Sequence, residues 1–325
     1  MQVLVTGGAG YIGSHAVKVL FEKGYEGVVV DNLATGHKEA VDERAKLYIG
    51  DISDEAFMHK VFTENNIKGV IHFAAFSLVG ESMTNPYKYY ENNVSKTNKL
   101  LKSMIEHNVL NLVFSSTAAT YGEPEKTPIY ETDSQVPTNV YGQTKLAMEH
   151  MIKWYGSAHG LNNVALRYFN VAGAIEDGSI GEAHNPETHL IPIILQVANN
   201  KRTKISVFGD DYPTKDGTCI RDYIHVLDLC EAHVLALEYL FAGNPSDNFN
   251  LGSGEGFSVL EMIEAARRVT SHPIPAEVAP RRAGDPAVLI ANSDKARSIL
   301  GWKPIRENIE LMIRDAWCWE QNKRY

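Results

Sequence analysis

A glycine-rich turn near the start of the chain is the feature that most restricts the possible folds. Gly8, Gly10 and Gly13 follow the apolar segment 2–6 and open a helical pattern over 12–23. Glycines at this spacing let the backbone turn tightly, approach a pyrophosphate and present free N–H groups at the positive end of a helix dipole. The same residues could form an ordinary tight turn between a strand and a helix, so the turn alone does not define a function.

Residues 1–172 alternate short apolar segments with longer amphipathic ones. Such alternation is typical of βαβ units, in which a parallel sheet is covered by helices on both faces. The predicted strands are 2–6, 28–31, 46–50, 69–74, 110–115 and 163–168, and the predicted helices are 12–23, 54–65, 86–107 and 139–158. We therefore expect an α/β fold with a doubly wound, Rossmann-like parallel sheet and a smaller C-terminal α/β substrate lobe.

The alternation weakens after residue 172. A polar segment at 174–189 precedes a predicted helix at 190–199, and a second polar segment at 209–217 follows a predicted strand at 204–208. An apolar helix at 228–241 could bring the chain back to the first sheet. We predict a dinucleotide-binding domain over 1–172, completed by about 222–243, and a smaller lobe over 173–325.

Composition limits the class of protein. With 44% hydrophobic and 22% charged residues, the 325-residue chain resembles ordinary globular proteins, and no apolar run reaches the ~18 residues of a spanning helix. A net charge of −9 argues against nucleic acid as a partner. Cys219, Cys230 and Cys318 have neither disulfide nor zinc-ligand spacing. We expect a cytoplasmic protein with no membrane partner and no metal site.

Two acidic residues follow predicted strands. Asp31 lies eighteen residues after Gly13, where a carboxylate accepts hydrogen bonds from the adenosine ribose and repels a 2′-phosphate. Because Asn32 and Leu33 come next and no arginine does, NAD is favoured over NADP as cofactor. Asp51 could meet the adenine edge or simply cap a turn.

Tyr141 and Lys145 lie four residues apart at the start of a predicted helix, so they share one face. An ammonium close to a phenol favours the phenolate, and we expect Lys145 to lower the pKa of Tyr141 enough for it to serve as a base. Taken alone, such a pair arises often by chance.

The fifth strand ends in hydroxyl-bearing residues, including Ser115, Ser116 and Thr117. Ligands in open parallel sheets bind beyond the carboxyl ends of the strands. Ser116 or Thr117 could therefore share a proton with Tyr141 and a substrate hydroxyl, although isolated hydroxyls here are more often turn residues.

A second face of the Tyr141 helix is apolar. Its members are Ala147, Met151, Trp154 and Ala158. A homodimer would use such a face, and ordinary core packing would explain it equally well.

The glycine turn, Asp31, the strand-end hydroxyl and the Tyr/Lys pair occur in an order that resembles the extended short-chain dehydrogenase/reductase family. Longer segments resemble the UDP-glucose 4-epimerases within that family, and the resemblance runs from residue 2 to about residue 320. These segments are 7–15, 31–33, 50–52, 72–75, 79–82, 90–94, 167–170 and 221–228.

The resemblance implies an NAD-dependent enzyme that inverts C4 of a UDP-hexose through a 4-keto sugar, with an NAD-binding domain and a UDP-sugar-binding lobe. It implies Tyr141 as base, Lys145 as its partner and Thr117 as the hydroxyl. The implied cofactor contacts are Gly7, Gly10, Tyr11, Ile12, Gly13, Asp31, Asn32, Asp51, Ile52, Phe73, Ala74, Ala75, Asn92, Ser115, Tyr141, Lys145 and Tyr168. The implied substrate contacts are Thr117, Tyr141, Asn170, Leu190, Arg221, Arg282, Asp285 and Leu289.

Two departures and three alternatives accompany this interpretation. Ser77 stands where many epimerases carry Lys, and Thr188-His189 replaces an Asn-Asn pair. A related dehydratase or decarboxylase would need an additional acid or base, whereas Ala118 and Ala119 follow Thr117. A dehydrogenase that releases NADH, or a non-catalytic NAD-sensing protein, is also compatible with the scaffold. Leu289 is expected near C2 of the sugar, which predicts weaker activity on UDP-N-acetylhexosamines.

Overall fold

The structure is a computed structural model that describes residues 1–282 and 285–325. Its strands are β1 (Gln2–Thr6), β2 (Glu26–Asp31), β3 (Lys46–Ile49), β4 (Ile67–His72), β5 (Asn111–Ser115), β6 (Asn162–Tyr168), β7 (Asn170–Ala172), β8 (Ile205–Phe208), β9 (Ile220–His225), β10 (Asp247–Leu251), β11 (Gly256–Ser258), β12 (Ala276–Ala279) and β13 (Val288–Leu289). Its α-helices are α1 (Tyr11–Glu22), α2 (Glu55–Glu64), α3 (Val79–Thr84), α4 (Pro86–Tyr89), α5 (Lys96–Glu106), α6 (Val140–His159), α7 (Leu190–Ala198), α8 (Val226–Phe241), α9 (Val259–Thr270), α10 (Asp294–Ile299) and α11 (Ile309–Asn322).

Seven parallel strands form the large sheet in the order β10-β6-β5-β4-β1-β2-β3. The order reverses at β1, because β2 and β3 lie on one side of it and β4, β5 and β6 on the other. Such a switch point leaves a crevice at the carboxyl ends of the central strands, where α/β proteins bind ligands. The predicted α/β fold with a doubly wound parallel sheet is confirmed.

Helices cover both faces of this sheet. On one face α1 and α8 bury apolar side chains such as Val17, Leu20 and Leu237. On the other face α2, α5 and α6 contribute Met58, Met104 and others. Since both faces are buried, the strands consist of nearly continuous apolar residues rather than alternating ones.

A second, smaller group of elements lies beside the large sheet. β9 pairs with β7, β11 and β13, β8 pairs with β12, and helices α7, α9 and α11 share a separate apolar core. The sequence predicts that about 222–243 completes the dinucleotide-binding domain. Helix α8 does pack on the large sheet, but β9 belongs to the second sheet, and the strand that rejoins the first is β10. The helix must cross the sheet face before a parallel strand can pair, so the strand follows it.

The predicted helix at 86–107 is interrupted. A π-helical segment, Tyr90–Ser95, separates α4 from α5. Within it, buried Asn93 accepts a hydrogen bond from the Phe76 N–H at 2.9 Å and donates one to the Phe76 carbonyl at 3.0 Å. Wide helical turns of this kind are common at functional sites. Among the helices of the described ranges, none is long and apolar enough to span a membrane.

Candidate active site

The glycine-rich turn packs too tightly for side chains. A Cβ atom on Gly13 would lie 2.1 Å from the Gly7 carbonyl oxygen, and Gly7 itself has a φ of +75°. Gly10 precedes α1 without a side-chain cap, and the first turn of α1 has no acidic residue. The N–H groups of Tyr11 and Ile12 therefore have no acceptor within the helix and are available to a ligand, as at pyrophosphate sites. The turn fits a dinucleotide.

Asp31 ends β2 beside this turn and is buried. Its two carboxylate oxygens accept hydrogen bonds from the N–H groups of Ala9 at 2.9 Å and Leu33 at 2.8 Å. These bonds orient the carboxylate and tie the turn to β2. The remaining lone pairs of the oxygens can accept ribose hydroxyls.

Asn32 and Asp51 meet at the ends of β2 and β3. The Asn32 amide donates to Asp51 at 3.3 Å, and Lys96 of α5 donates to the same carboxylate at 2.6 Å. Burial raises the pKa of Asp51, but hydrogen bonds from Lys96 and Ser53 outweigh it and lower the pKa to about 2. Asp51 is therefore ionised at neutral pH, and buried Ile52 follows it.

The end of β4 lies against the opposite side of the glycine turn. The N–H groups of Phe73 and Ala74 both donate to the Thr6 carbonyl, at 2.9 and 3.1 Å, and the next residue, Ala75, is partly buried. Asn92 lies in the π-helical segment, where its amide donates to Asn93 at 3.1 Å. The structure thus brings the predicted β1, β2, β3 and β4 contacts to one edge of the sheet.

Tyr141, Lys145 and Thr117 come together next to this edge. Asn139 caps α6 by accepting from Gly142 at 2.8 Å, and this cap places Tyr141 in the first turn. Lys145, one turn further, is buried and donates to the Ser115 carbonyl at 2.7 Å. The Thr117 hydroxyl lies close enough to the Tyr141 hydroxyl to affect its pKa.

The pKa of Tyr141 differs from the expectation. Burial raises it to about 12, and the neighbouring Thr117 hydroxyl only partly offsets this. Lys145 does not lower it, because the ammonium points to the Ser115 carbonyl and burial lowers the pKa of Lys145 itself to about 7. The expectation that Lys145 lowers the pKa of Tyr141 was therefore wrong. Residue spacing shows that the two side chains share one helix face, but it does not show how deeply they are buried.

Tyr168 ends β6, and its hydroxyl is hydrogen-bonded to the Ser115 hydroxyl. Burial raises the pKa of Tyr168, so the hydroxyl is protonated at neutral pH. Tyr11 donates from its hydroxyl to the Gly173 carbonyl at 2.6 Å. The Tyr168 and Tyr11 side chains are thereby held at the edge of the sheet that carries the glycine-rich turn.

A buried ion pair behind the site was not predicted. Arg167 donates from Nε to Glu149 at 3.0 Å and from Nη2 at 2.6 Å, and it also reaches the Tyr121 hydroxyl at 2.9 Å. The Ser116 hydroxyl, adjacent to Thr117, donates to the same carboxylate. Glu149 lies four residues after Lys145, which is the sequence signal that could have drawn attention to it.

Arg221 and Asp285, both predicted substrate contacts, form an ion pair. Leu289 pairs with Arg221 in the β9–β13 register and packs against the cluster of Ala118, Tyr121 and Ile129. Leu289 is therefore next to the segment that carries Thr117.

The other substrate candidates lie further apart. Asn170 starts β7 and lies opposite Tyr223 in the β7–β9 register. Leu190 starts α7, and its side chain packs on the second core. Arg282 is exposed and its guanidinium lies 4.0 Å from the centre of the Phe208 ring. No hydrogen bond or ion pair joins these three residues to Arg221 within the described ranges.

The fold and the convergence of Tyr141, Lys145 and Thr117 define a dinucleotide-dependent enzyme of the short-chain dehydrogenase/reductase class. A sequence profile of the NAD dependent epimerase/dehydratase family matches residues 3–252, and the chain belongs to that family. The UDP-glucose 4-epimerase of Lacticaseibacillus casei is 59% identical over 322 residues, which cover 99% of this chain and 97% of the relative.

Solved structures agree with this assignment. The UDP-glucose 4-epimerase of Brucella ovis in complex with NAD has a TM-score of 0.95 at 47% identity, covering 97% of each chain. That of Bifidobacterium longum in complex with NAD+ and UDP has a TM-score of 0.94 at 41% identity, covering 99% of each chain.

Proposed function

We propose that this chain interconverts UDP-galactose and UDP-glucose by inverting C4 of the hexose. The observation that carries the proposal is the meeting of Tyr141, Lys145 and Thr117 at the carboxyl end of β5, beside a dinucleotide turn. Bound NAD would supply a hydride acceptor beside C4 from which the hydride could return to the opposite face of the 4-keto sugar, so that no cofactor would be consumed.

The chain itself handles the proton of the 4-hydroxyl. Tyr141 takes this proton during oxidation and returns it during reduction, and the Thr117 hydroxyl holds the sugar hydroxyl against it. Lys145 anchors the segment by its bond to the Ser115 carbonyl and holds the nicotinamide ribose. Because burial raises the pKa of Tyr141, positive charge at the nicotinamide edge is needed for the phenolate to form.

The two parts of the molecule divide the work in this proposal. Residues 1–172, with helix α8, hold NAD through the edge described above, and the elements after residue 172 hold the UDP-sugar. Arg221 suits the diphosphate because a guanidinium offers paired donors, and Asp285 orients it. Asn170, Leu190 and Arg282 provide the remaining contacts to the sugar nucleotide.

The exposed apolar surface of α6 supports a homodimer formed through this helix. Met151 packs on the large core, but the Trp154 side chain on the same helix is 74% exposed. A large aromatic in open solvent is typical of an interface. Sedimentation should show a dimer for the wild type and a monomer for Trp154→Lys, and an unchanged dimer would remove α6 from the interface.

A reducing compartment, the cytoplasm, fits the cysteines. Cys219, Cys230 and Cys318 are all free, and Cys219 and Cys230 are buried. Structural disulfides would be expected in an oxidising compartment.

Product analysis tests the activity. Purified enzyme is incubated with UDP-galactose or UDP-N-acetylgalactosamine without added reductant, and products are separated by chromatography. We expect UDP-glucose and a smaller amount of UDP-N-acetylglucosamine, with no accumulation of NADH. Stoichiometric NADH would indicate a dehydrogenase, loss of water a dehydratase, and the absence of any product a non-catalytic protein.

A further inference from the structure

The loop between β7 and α7 carries a cluster of potential metal ligands outside the site described above. Its members are Glu182, His184, Glu187 and His189, and one ligand atom from each lies within 4.8 Å of all the others. Within the described part of the chain this is the one such cluster of histidines, cysteines and carboxylates.

The spacing of these atoms suits a tetrahedral ion. Zinc bonds of about 2.0–2.1 Å to nitrogen and oxygen place tetrahedral ligand atoms roughly 3.3 Å apart. The His184 Nδ1 atom lies 3.0 Å from the Glu182 carboxylate and 3.9 Å from that of Glu187. The His189 Nδ1 atom lies 4.0 Å from Glu187 and also contacts Glu182. Small side-chain movements bring all four into a first coordination sphere.

One buried atom of the cluster lacks the partner that a metal-free site would need. The Oε2 atom of Glu187 is buried without any hydrogen bond from the described residues. The Glu187 side chain is only 3% exposed. Buried polar atoms are rarely left unpaired, and a carboxylate removed from water needs a nearby positive charge. The unpaired Glu187 oxygen therefore points to a bound cation.

Neither lysine nor arginine supplies that charge. Among the described residues, neither Glu182 nor Glu187 has a lysine or arginine within ion-pair distance. The cluster thus presents two carboxylates and two imidazole nitrogens to one point. Imidazole nitrogen selects transition metals over magnesium and calcium, and zinc is the commonest of these in closed four-ligand sites.

Neighbouring groups hold the ligands in place. The Trp319 indole of α11 donates to the Glu182 carbonyl at 2.8 Å, and His37 is hydrogen-bonded to the Ala183 carbonyl at 2.8 Å. The N–H groups of Thr188 and His189 donate to Oε1 of Glu187 at 2.8 and 2.9 Å. Such outer contacts orient ligands in metal sites.

We propose that Glu182, His184, Glu187 and His189 bind one structural Zn²⁺. The ion joins the loop before α7 to α11 and to Tyr11 of the dinucleotide turn, whose ring meets the His184 ring edge-on at 6.5 Å. It has no part in the hydride or proton transfers. Its effect is on the stability of the connection between the two parts of the molecule.

Metal content tests this site. The full-length protein is treated with chelator, supplied with zinc alone, passed through a desalting column and analysed by inductively coupled plasma mass spectrometry. We expect one zinc per chain in the wild type. Glu187→Gln keeps the shape and the Oε1 acceptor, and His184→Gln removes a nitrogen ligand, so both should weaken binding by more than the roughly 10–100-fold typical of an outer-shell change.

The matched control is His150→Ala, which removes an exposed histidine on α6 and should retain one zinc. X-ray absorption at the zinc edge should show only nitrogen and oxygen ligands. Circular dichroism of each variant separates loss of a ligand from loss of the fold. Absence of zinc from the wild type, or equal zinc affinity in all four proteins, would overturn the proposal and leave the histidines as protonated partners of the two carboxylates.

Discussion

Replacement of Arg167 by Met tests the support behind the catalytic segment. The Arg167 and Glu149 side chains are only 6% and 9% exposed, and two hydrogen bonds join them. Removing one member of a buried pair leaves an uncompensated charge and costs about 3–5 kcal/mol. Arg167→Met should therefore lower the free energy of unfolding by that amount, which is a large part of the roughly 5–15 kcal/mol of a typical domain.

Urea denaturation measures this loss. With an m-value of about 3 kcal/mol per molar, the midpoint should fall by roughly 1–1.7 M. Fluorescence and circular dichroism must give the same transition for the comparison to hold. Glu149→Gln/Arg167→Met removes both charges, so it should be more stable than Arg167→Met alone.

Arg167→Met should also reduce turnover. Glu149 accepts from Ser116, the residue before Thr117, so loss of its partner lets the catalytic segment shift. A midpoint change of less than about 0.3 M, or a double variant less stable than Arg167→Met, would refute the reasoning that the charge pair supports this segment.

Three further predictions concern the site. Tyr141→Phe should lower kcat by about 10²–10⁴-fold or more with NAD still bound, whereas Tyr155→Phe on the same helix should not, and retention of over a tenth of the activity would remove Tyr141 from the mechanism. Asp31→Ala should weaken NAD binding about 10–100-fold and allow NADP to bind, whereas Asp31→Asn should keep the hydrogen bonds from the glycine-rich turn but lose the negative charge. If Asp31→Ala retained NAD fully and still excluded NADP, the role assigned to Asp31 would be contradicted. Leu289→Ser should raise, and Leu289→Tyr abolish, turnover of UDP-N-acetylgalactosamine relative to UDP-galactose, by about 10–200-fold in kcat/KM; an unchanged ratio would show that residue 289 does not gate the 2-acetamido group.

Features of the site that depend on local sequence could be predicted. The glycine spacing, the position of Asp31 after β2 and the shared helical face of Tyr141 and Lys145 all follow from turn geometry and helix periodicity. The carboxyl-end location of Thr117 follows from the parallel sheet. The structure brings these residues to one edge as the patterns indicate.

Features that depend on contacts between distant residues could not be predicted from the sequence. The pairing of Glu149 with Arg167 needs α6 to pack on β6, and the break in the 86–107 helix depends on the contact of Asn93 with Phe76. The pKa of Tyr141 depends on burial, which residue spacing does not reveal. The ligand cluster at 182–189 is local in sequence, but its spacing is not that of common zinc motifs.

Transfer of the substrate's own hydride is the central claim, and isotope retention tests it most directly. UDP-galactose carrying deuterium at C4 is incubated in ordinary water with the purified enzyme and no added cofactor, and the UDP-glucose product is analysed by mass spectrometry and NMR. The account predicts that deuterium remains at C4 of the product, because the hydride leaves and returns within one active site. Replacement of the deuterium by solvent hydrogen, or inversion without any kinetic isotope effect at C4 in single-turnover experiments, would contradict it.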